Sequence, residues 1–442
     1  MNAGTMNSVR GYTGDDVPQD SIYNRCVRCG LCLPSCPTYL ETMVETSGPR
    51  GRISLIKAVG EGELDLLSPG FVHQMSECLD CRACEAVCPS GVMYGQLVET
   101  ARTQIEKASK RTVAPHVSFA RFVALRVLFT NLAVMRFAAS LLRFYQRSGL
   151  QSALRASGVL RLLRLAEIEK LAPKISRRYF MARDQRYPAA SERTTAFLHT
   201  GCVMHVAFAQ VHEATVRVLQ KSGCSVVVPR GQGCCGAIAV HAGEMQQGRE
   251  LAKRNIAAFE QSGADVYVIN AAGCGSTLKE YGEMFAADEE WSTRAARFSK
   301  RVRDVTELLD ELGLAPELGN VDQTVTYQEP CHLVHAQRIS AAPRRLLQQI
   351  PGLNLREMPE SSVCCGSAGI YNLTQPEMSR RLQERKISNI ESAGADVVVT
   401  ANPGCALQIS AGLSQAGKQT PVRHVVEMLD LAYENYRQVR AS

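Results

Sequence analysis

The chain has 442 residues, 45% hydrophobic and 21% charged, with a net charge of +7. That length has room for two to four domains with a substantial core, and the composition excludes a disordered or fibrous chain. No stretch approaches eighteen apolar residues without a charge, so no membrane-spanning helix is expected.

Seventeen cysteines stand out against this ordinary background. Their odd number, their close spacing and the lack of an apolar leader argue against extracellular disulfides and for metal ligation in a reducing, cytoplasmic setting. Residues 1–20 are polar and rich in Gly, Asp and Asn, and are expected to be disordered. Two runs follow, Cys26-x2-Cys29-x2-Cys32-x3-Cys36-Pro37 and Cys78-x2-Cys81-x2-Cys84-x3-Cys88-Pro89. This is the spacing by which bacterial-type ferredoxins hold two [4Fe–4S] clusters, three thiolates from one loop and the fourth from the other. The expected sets are Cys26, Cys29, Cys32 and Cys88 for one cluster, and Cys78, Cys81, Cys84 and Cys36 for the second. Structural zinc sites use paired cysteines rather than a repeated run of four. Between the runs, Gly48-Pro49 marks a break. Ile53, Leu55, Ile56 and Val59 then fall at helical spacing, and a second helix is expected from Tyr94 to about Lys110. Residues 21–110 therefore read as an all-helical two-cluster domain. Arg50 and Arg52 either offset thiolate charge or touch a partner; solvated helix-end charge is the plainer alternative.

Residues 111–192 read as a helical connector. Arg111 to Arg186 holds fifteen Lys and Arg against Glu167, Glu169 and Asp184, a local +12, so the rest of the chain (+7 less +12) carries about −5. Phe122, Leu125, Leu128, Phe129, Leu132, Met135 and Phe137 interleave with Arg121, Arg126 and Arg136. A second basic apolar stretch runs through Leu154, Leu160, Leu163, Leu165 and Ile168. Such helices either lie on an anionic membrane surface or dock a partner, or they pack as an amphipathic pair with the basic face in solvent. Nucleic acid is not expected, since no recognised binding fold accompanies the charge.

The remaining residues repeat. Cys202, Cys234-Cys235-Gly236 and Cys274 recur as Cys331, Cys364-Cys365-Gly366 and Cys405, at offsets of 129 to 131 residues, and Gly263-Ala264-Asp265-Val266 recurs as Gly394-Ala395-Asp396-Val397. The duplication defines domains at 193–318 and 319–442. Strands are expected at Ala196–His199, Ser225–Val228 and Val266–Ile269, and at Val325–Tyr327 and Val397–Thr400; helices are expected at Glu213–Lys221 and Met245–Gln261. The pattern predicts tandem parallel α/β units. A cysteine follows the first and third strands of each copy, where an open parallel sheet forms its ligand crevice, so each copy is expected to hold four thiols of a cluster or redox site. Gly236 and Gly366 suit a positive φ or a close backbone approach. Cys224 has no counterpart and reads as core. His205, His241, His332 and His335 read as ordinary hydrogen-bonded histidines, with proton transfer as the alternative. No Gly-x-Gly-x-x-Gly follows a strand and no nucleophile triad can be placed, so the chain shows no sign of its own flavin or nicotinamide site, and no catalytic residue is assigned.

On both cysteine runs, the linking Gly48-Pro49-Arg50-Gly51-Arg52-Ile53, the stretch Cys88-Pro89-Ser90-Gly91-Val92-Met93-Tyr94-Gly95 and both Cys-Cys-Gly repeats, the chain resembles the iron–sulfur subunit of bacterial glycolate oxidase. It is also similar to the C subunit of anaerobic glycerol-3-phosphate dehydrogenase and to heterodisulfide reductases. The resemblance implies an electron-transfer subunit with two [4Fe–4S] clusters and with FAD-binding partner subunits that carry the substrate chemistry, oxidising glycolate to glyoxylate. It further implies electron delivery to a membrane quinone, with the chain cytoplasmic or peripheral on the inner membrane's cytoplasmic face. The alternatives are the iron–sulfur subunit of a glycerol-3-phosphate or D-lactate dehydrogenase, or a heterodisulfide-reductase-like enzyme acting at the Cys-Cys-Gly sites. Heterodisulfide reductases end each repeat in Cys-x-x-Cys. Here Ala271 and Asn402 replace the first of that pair, so each repeat keeps four cysteines, and a cluster or a dithiol there stays open.

Overall fold

A computed structural model describes residues 11–109, 115–162, 169 and 172–441. The expected disordered N-terminus extended to residue 20; its first ten residues lie outside the described part, but residues 11–20 are held in place. The Tyr12 hydroxyl donates to the Ile56 carbonyl at 2.9 Å, Gln104 donates to the carbonyls of Thr13, Asp15 and Asp16, and Asp16 pairs with Arg249. Polar composition concealed these anchors, because their partners lie far away in sequence.

Helices Pro37–Thr42, Pro49–Gly60 and Pro69–Glu77 each begin on proline, whose fixed φ suits a first turn with no N–H to satisfy. With Tyr94–Ser109 they enclose Ile53, Ile56, Val59, Phe71, Met75, Leu97, Val98 and Ala101. No strand occurs among the described residues before Gln185, so this part is helical as expected. The connector continues as Pro115–Phe122, a π-helical segment Val123–Leu128, Leu132–Arg147, Leu150–Ala156 and Val159–Leu162. The Asn131 side chain caps Leu132–Arg147 by accepting from the Ala133 and Val134 N–H groups. Residues 163–168, within the second basic stretch, lie outside the described part.

Among the described residues nine strands make two sheets: β1 Gln185–Tyr187, β2 Thr194–Leu198, β3 Cys224–Val228, β4 Val266–Ile269, β5 Val302–Asp304, β6 Gln323–Tyr327, β7 Leu353–Arg356, β8 Val397–Thr400 and β9 Val422–His424. The first sheet runs β1-β3-β2-β4-β5 and the second β7-β6-β8-β9. Every pairing is parallel except β1 with β3, so the repeat shares one topology, and the end of the connector adds an antiparallel edge strand to the first copy. The two copies share a core that joins Phe197, Val226, Tyr267 and Val268 to Val325, Tyr327, Val399 and Leu429. Their backbones also meet directly. The Ala272 N–H donates to the Ala401 carbonyl at 3.1 Å, and the Gly273 N–H to Asn402 Oδ1 at 3.1 Å.

Arg82 fastens the helical part to the repeats. Its buried guanidinium meets Asp80 at 2.9 Å, Glu99 at 3.1 Å, and Glu85 and Glu280 at 3.5 Å each. Gly95 makes room for it, since a Cβ there would lie 1.7 Å from the guanidinium carbon. Removing one partner from such a buried network strands the others, at about 3–5 kcal/mol. Arg82→Met is expected to lose stability on that scale in thermal or denaturant unfolding, and a loss under about 1 kcal/mol would contradict this role.

A second buried set crosses the repeat interface. His424 donates through Nε2 to the Asn270 carbonyl at 3.1 Å, and Asn270 donates to His212 Nδ1 at 3.1 Å. Burial pushes His424 down to about 4 and His212 to about 3 from the ordinary 6.5, so both stay neutral in the fold. Below pH 6.5 the unfolded chain binds protons that the folded chain refuses; this stability is complete above 6.5 and is lost as pH falls toward 4. The unfolding midpoint should therefore drop across that window and drop less steeply in His424→Gln; identical slopes would count against it.

Candidate metal centres

The two cysteine runs curl by the same device. Arg28 and Gly30 in the first run, and Asp80 and Arg82 at the corresponding places in the second, all have left-handed φ, between 52° and 84°. A non-glycine residue there is strained, and such strain persists where surrounding structure holds it; the ion pairs of Asp80 and Arg82 do so. Each loop thereby turns its sulfurs inward. Cys26, Cys29, Cys32 and Cys88 line one cavity, and Cys36, Cys78, Cys81 and Cys84 line another. Cys84, Pro49 and Tyr94 border both, so the cavities adjoin. In the first set Cys29 is exposed and its fellows half-buried, whereas the second set is buried throughout.

The surroundings suit sulfur anions. The Asp80 N–H points at Cys78 Sγ at 3.4 Å, the Val92 N–H at Cys88 Sγ at 3.4 Å, and the Tyr94 hydroxyl at Cys78 Sγ at 3.6 Å. Arg52, 1% exposed, bonds Thr38, Gln74 and Glu77; burial works against its charge, but Cys78, Tyr94, Cys36 and Glu77 hold its pKa above the ordinary arginine value. Arg50 is different: it is half-exposed, pairs with Glu45 and donates to the Arg28 carbonyl at 3.0 Å. Burial pushes the Cys32 thiol up to about 11, and burial followed by neighbouring thiols raises Cys81 and Cys84 well above the ordinary range. Four such thiols become thiolates only against a cation, and four converging sulfurs with N–H donors fit a bound iron–sulfur cluster.

The expected separate crevices of the repeats form one chamber. All eight cysteines, Cys202, Cys234, Cys235, Cys274, Cys331, Cys364, Cys365 and Cys405, line a single cavity. The backbone bonds between the copies face both thiol sets into it. Gly236 and Gly366 have φ of 86° and 84°, and a Cβ on Gly366 would lie 2.6 Å from the Ser379 carbonyl. The Cys202 and Cys234 sulfurs are 3.8 Å apart, the Gly236 N–H points at Cys234 Sγ at 3.4 Å, and Asn402 donates to Cys405 Sγ at 3.3 Å. Contacts with neighbouring thiols, then burial, push Cys202, Cys235, Cys364 and Cys405 well above the ordinary thiol range, and the same thiol contacts hold Cys234 and Cys365 well below it. Ala271 and Asn402 stand three residues before Cys274 and Cys405, so each set has four thiols at the chamber. None of the seventeen cysteines is in a disulfide, and Cys224 is a buried β3 residue whose thiol burial raises to about 12.

The histidines are structural in their contacts. His332 donates to the Asp80 carbonyl at 2.8 Å and His335 to the Ser362 carbonyl at 3.1 Å. His205, buried beside Tyr179, has no hydrogen-bond partner at either ring nitrogen among the described residues and so departs from the hydrogen-bonded reading. His241 meets Glu99 at 3.0 Å and Asp80 at 3.1 Å; burial opposes its charge, but the two carboxylates win and hold it near 10. These three groups gather closely, yet Arg82 already pairs with both carboxylates.

One contact was not legible from spacing. Leu79, Cys81 and Ala83 form a single apolar cluster with Cys364, Tyr371 and Leu382, against which Cys331 packs, and Leu79 also lines the chamber. The second N-terminal cavity thus abuts the thiols of the second repeat.

Three families match parts of the chain: a 4Fe-4S dicluster domain at 22–92, the linker region of the glycolate oxidase iron-sulfur subunit at 116–172, and a cysteine-rich domain at 196–279 and again at 325–410. The chain is 44% identical to the probable glycolate oxidase iron-sulfur subunit of Bacillus subtilis (strain 168), covering 92% of this chain and 93% of that one. It is 34% identical to the glycolate oxidase iron-sulfur subunit of Escherichia coli (strain K12), covering 94% and 95%. Lactate utilization protein A of Shouchella clausii is 32% identical over 53% of this chain and 97% of its own length.

Serine substitutions test the crossed ligand sets. Cys88→Ser should abolish the same paramagnetic signal as Cys26→Ser, and Cys36→Ser the same one as Cys78→Ser, each with about half of the N-terminal iron lost. Cys88→Ser sorting with Cys78→Ser would contradict the crossing.

Proposed function

This chain belongs to the glycolate oxidase iron-sulfur subunit family, and on that premise we propose that it is the electron-transfer subunit of a flavin-dependent 2-hydroxy-acid dehydrogenase complex. Its substrate is glycolate, oxidised to glyoxylate on FAD-binding partner subunits, and its acceptor is a membrane quinone. The observation that carries this reading is the unbroken run of thiols from the exposed Cys29, through the two adjoining cavities, to Cys331 and Cys364 at the chamber.

The residues that would hold the two [4Fe–4S] clusters are Cys26, Cys29, Cys32 and Cys88, and Cys36, Cys78, Cys81 and Cys84. Each cluster, when bound, supplies reversible one-electron chemistry. The protein does the rest. Exposure at Cys29 leaves the first set open to a donor at the surface. Burial of the second set, closed by Leu79, Tyr94 and Tyr371, excludes water. N–H and hydroxyl groups aimed at Cys78 and Cys88 stabilise sulfur charge, and the Arg52 guanidinium offsets it, which raises the potential of whatever those sulfurs hold. The eight chamber cysteines form a second station, a cluster or dithiol site, beside the acceptor. Lactate is the second reading for the substrate, favoured by the likeness of half the chain to lactate utilization protein A.

Purified without its partners, the cluster-loaded chain should be reducible by dithionite, with paramagnetic signals, and should fail to oxidise glycolate with a dye. Adding the flavoprotein subunits should restore dye reduction. Turnover of glycolate or of a disulfide by the chain alone would refute the relay.

A further inference from the structure

Sixteen large apolar side chains are exposed among the described residues, and nine of them lie between Phe119 and Leu162, in the connector. The helix Leu132–Arg147 is apolar on two sides. Met135 and Ala139 are buried in the core of the first repeat, with Leu132 and Leu142 packed against it. On the other side Phe137, Leu141 and Phe144, at i, i+4 and i+7, stand 67%, 56% and 68% exposed. An ordinary surface helix keeps that side polar, and clustered exposed apolar side chains mark an interaction surface.

Positive charge dominates the connector that carries this face, with Arg136 and Arg147 on the same helix. Arg121, Arg126, Arg155 and Arg186 have acidic partners. By contrast, Arg136, Arg147, Arg161, Arg177 and Arg178 make no ion pair among the described residues. The segment carries +12 on a chain otherwise about −5. Aromatic and leucine side chains beside unpaired arginines complement a bilayer whose headgroups are anionic. A protein partner would need an acidic surface matched to each arginine, whereas anionic lipids rearrange to meet them all. The connector also walls the chamber: Phe129, Ala172 and Pro173 line it, together with the half-exposed Leu373. Among the described residues no helix is long and apolar enough to cross a membrane, so a membrane-borne acceptor would have to be met from the surface.

We propose that the Phe137–Leu141–Phe144 face and the flanking arginines lay the chain on an anionic bilayer, with the connector side of the thiol chamber toward the lipid. The proposal deepens the reading of a membrane-borne acceptor and rests on it. Binding combines shallow insertion of the apolar side chains with salt-sensitive attraction.

The cluster-loaded full chain is mixed with vesicles of phosphatidylcholine, alone or with phosphatidylglycerol at about a third of the lipid. It should sediment with the anionic vesicles, at least about tenfold less with the neutral ones, and less again at high salt. Phe137→Ser/Leu141→Ser/Phe144→Ser should lose most binding while keeping its melting temperature and cluster spectrum. Arg147→Gln/Arg161→Gln should weaken binding to anionic vesicles alone. Hydrogen exchange on the unmodified chain gives a check free of variants: residues 132–147 should gain protection when vesicles are added. No binding to either vesicle, unchanged binding by the serine variant, or loss in that variant of flavoprotein co-purification rather than vesicle binding would each overturn the proposal. Dye-linked turnover by the complex in solution does not need lipid, so its failure would instead count against the relay.

Discussion

Buried thiols cannot ionise as a group unless positive charge meets them. That constraint orders most of this molecule. Sixteen of its seventeen cysteines lie in four sets of four around cavities; burial and neighbouring thiols push several of them up, while hydrogen bonds from neighbouring thiols bring Cys234 and Cys365 down. The loops are therefore built to receive metal charge. The left-handed turns at Arg28, Gly30, Asp80 and Arg82 aim the sulfurs, and buried Arg52 and Arg82 balance the negative groups near them. The strain at Asp80 and Arg82 has a second use, because the same two side chains tie the helical part to the repeats.

Duplication gives the C-terminal part its shape. Two copies with the same strand order meet through the loops that follow β4 and β8, where the cysteines lie. Eight thiols consequently face one space instead of two. The helical domain is seated so that Cys81 abuts the second copy, and the connector closes another wall through Phe129, Ala172 and Pro173. The exposed Cys29, the buried second set and the chamber thus follow one another through the chain.

Much of this is legible in the residues themselves. Cysteine spacing separates ferredoxin-like loops from zinc knuckles because a cube needs three sulfurs from one tight turn. The repeat shows because its cysteines, glycines and Gly-Ala-Asp-Val recur in register. Helices at 49–60 and 94–109 follow from apolar spacing and from Gly48-Pro49. Other features have no local signal. β5, β7 and β9 are only three or four residues long and read as loop until neighbouring strands pair with them. The shared chamber depends on how one copy docks on the other, and periodicity within a copy says nothing of that. Arg82 is one arginine among many in the sequence; only the fold gathers Asp80, Glu99 and Glu280 around it. His424 likewise becomes informative only when Asn270 of the other copy is placed beside it.

The central claim is that the cysteine sets exist to hold iron and sulfide. Iron and acid-labile sulfide, measured in the chain purified without oxygen and normalised to folded protein by circular dichroism, test it most directly. The account predicts at least about eight of each per chain, from the two N-terminal sets alone. A folded chain that carries neither would contradict it.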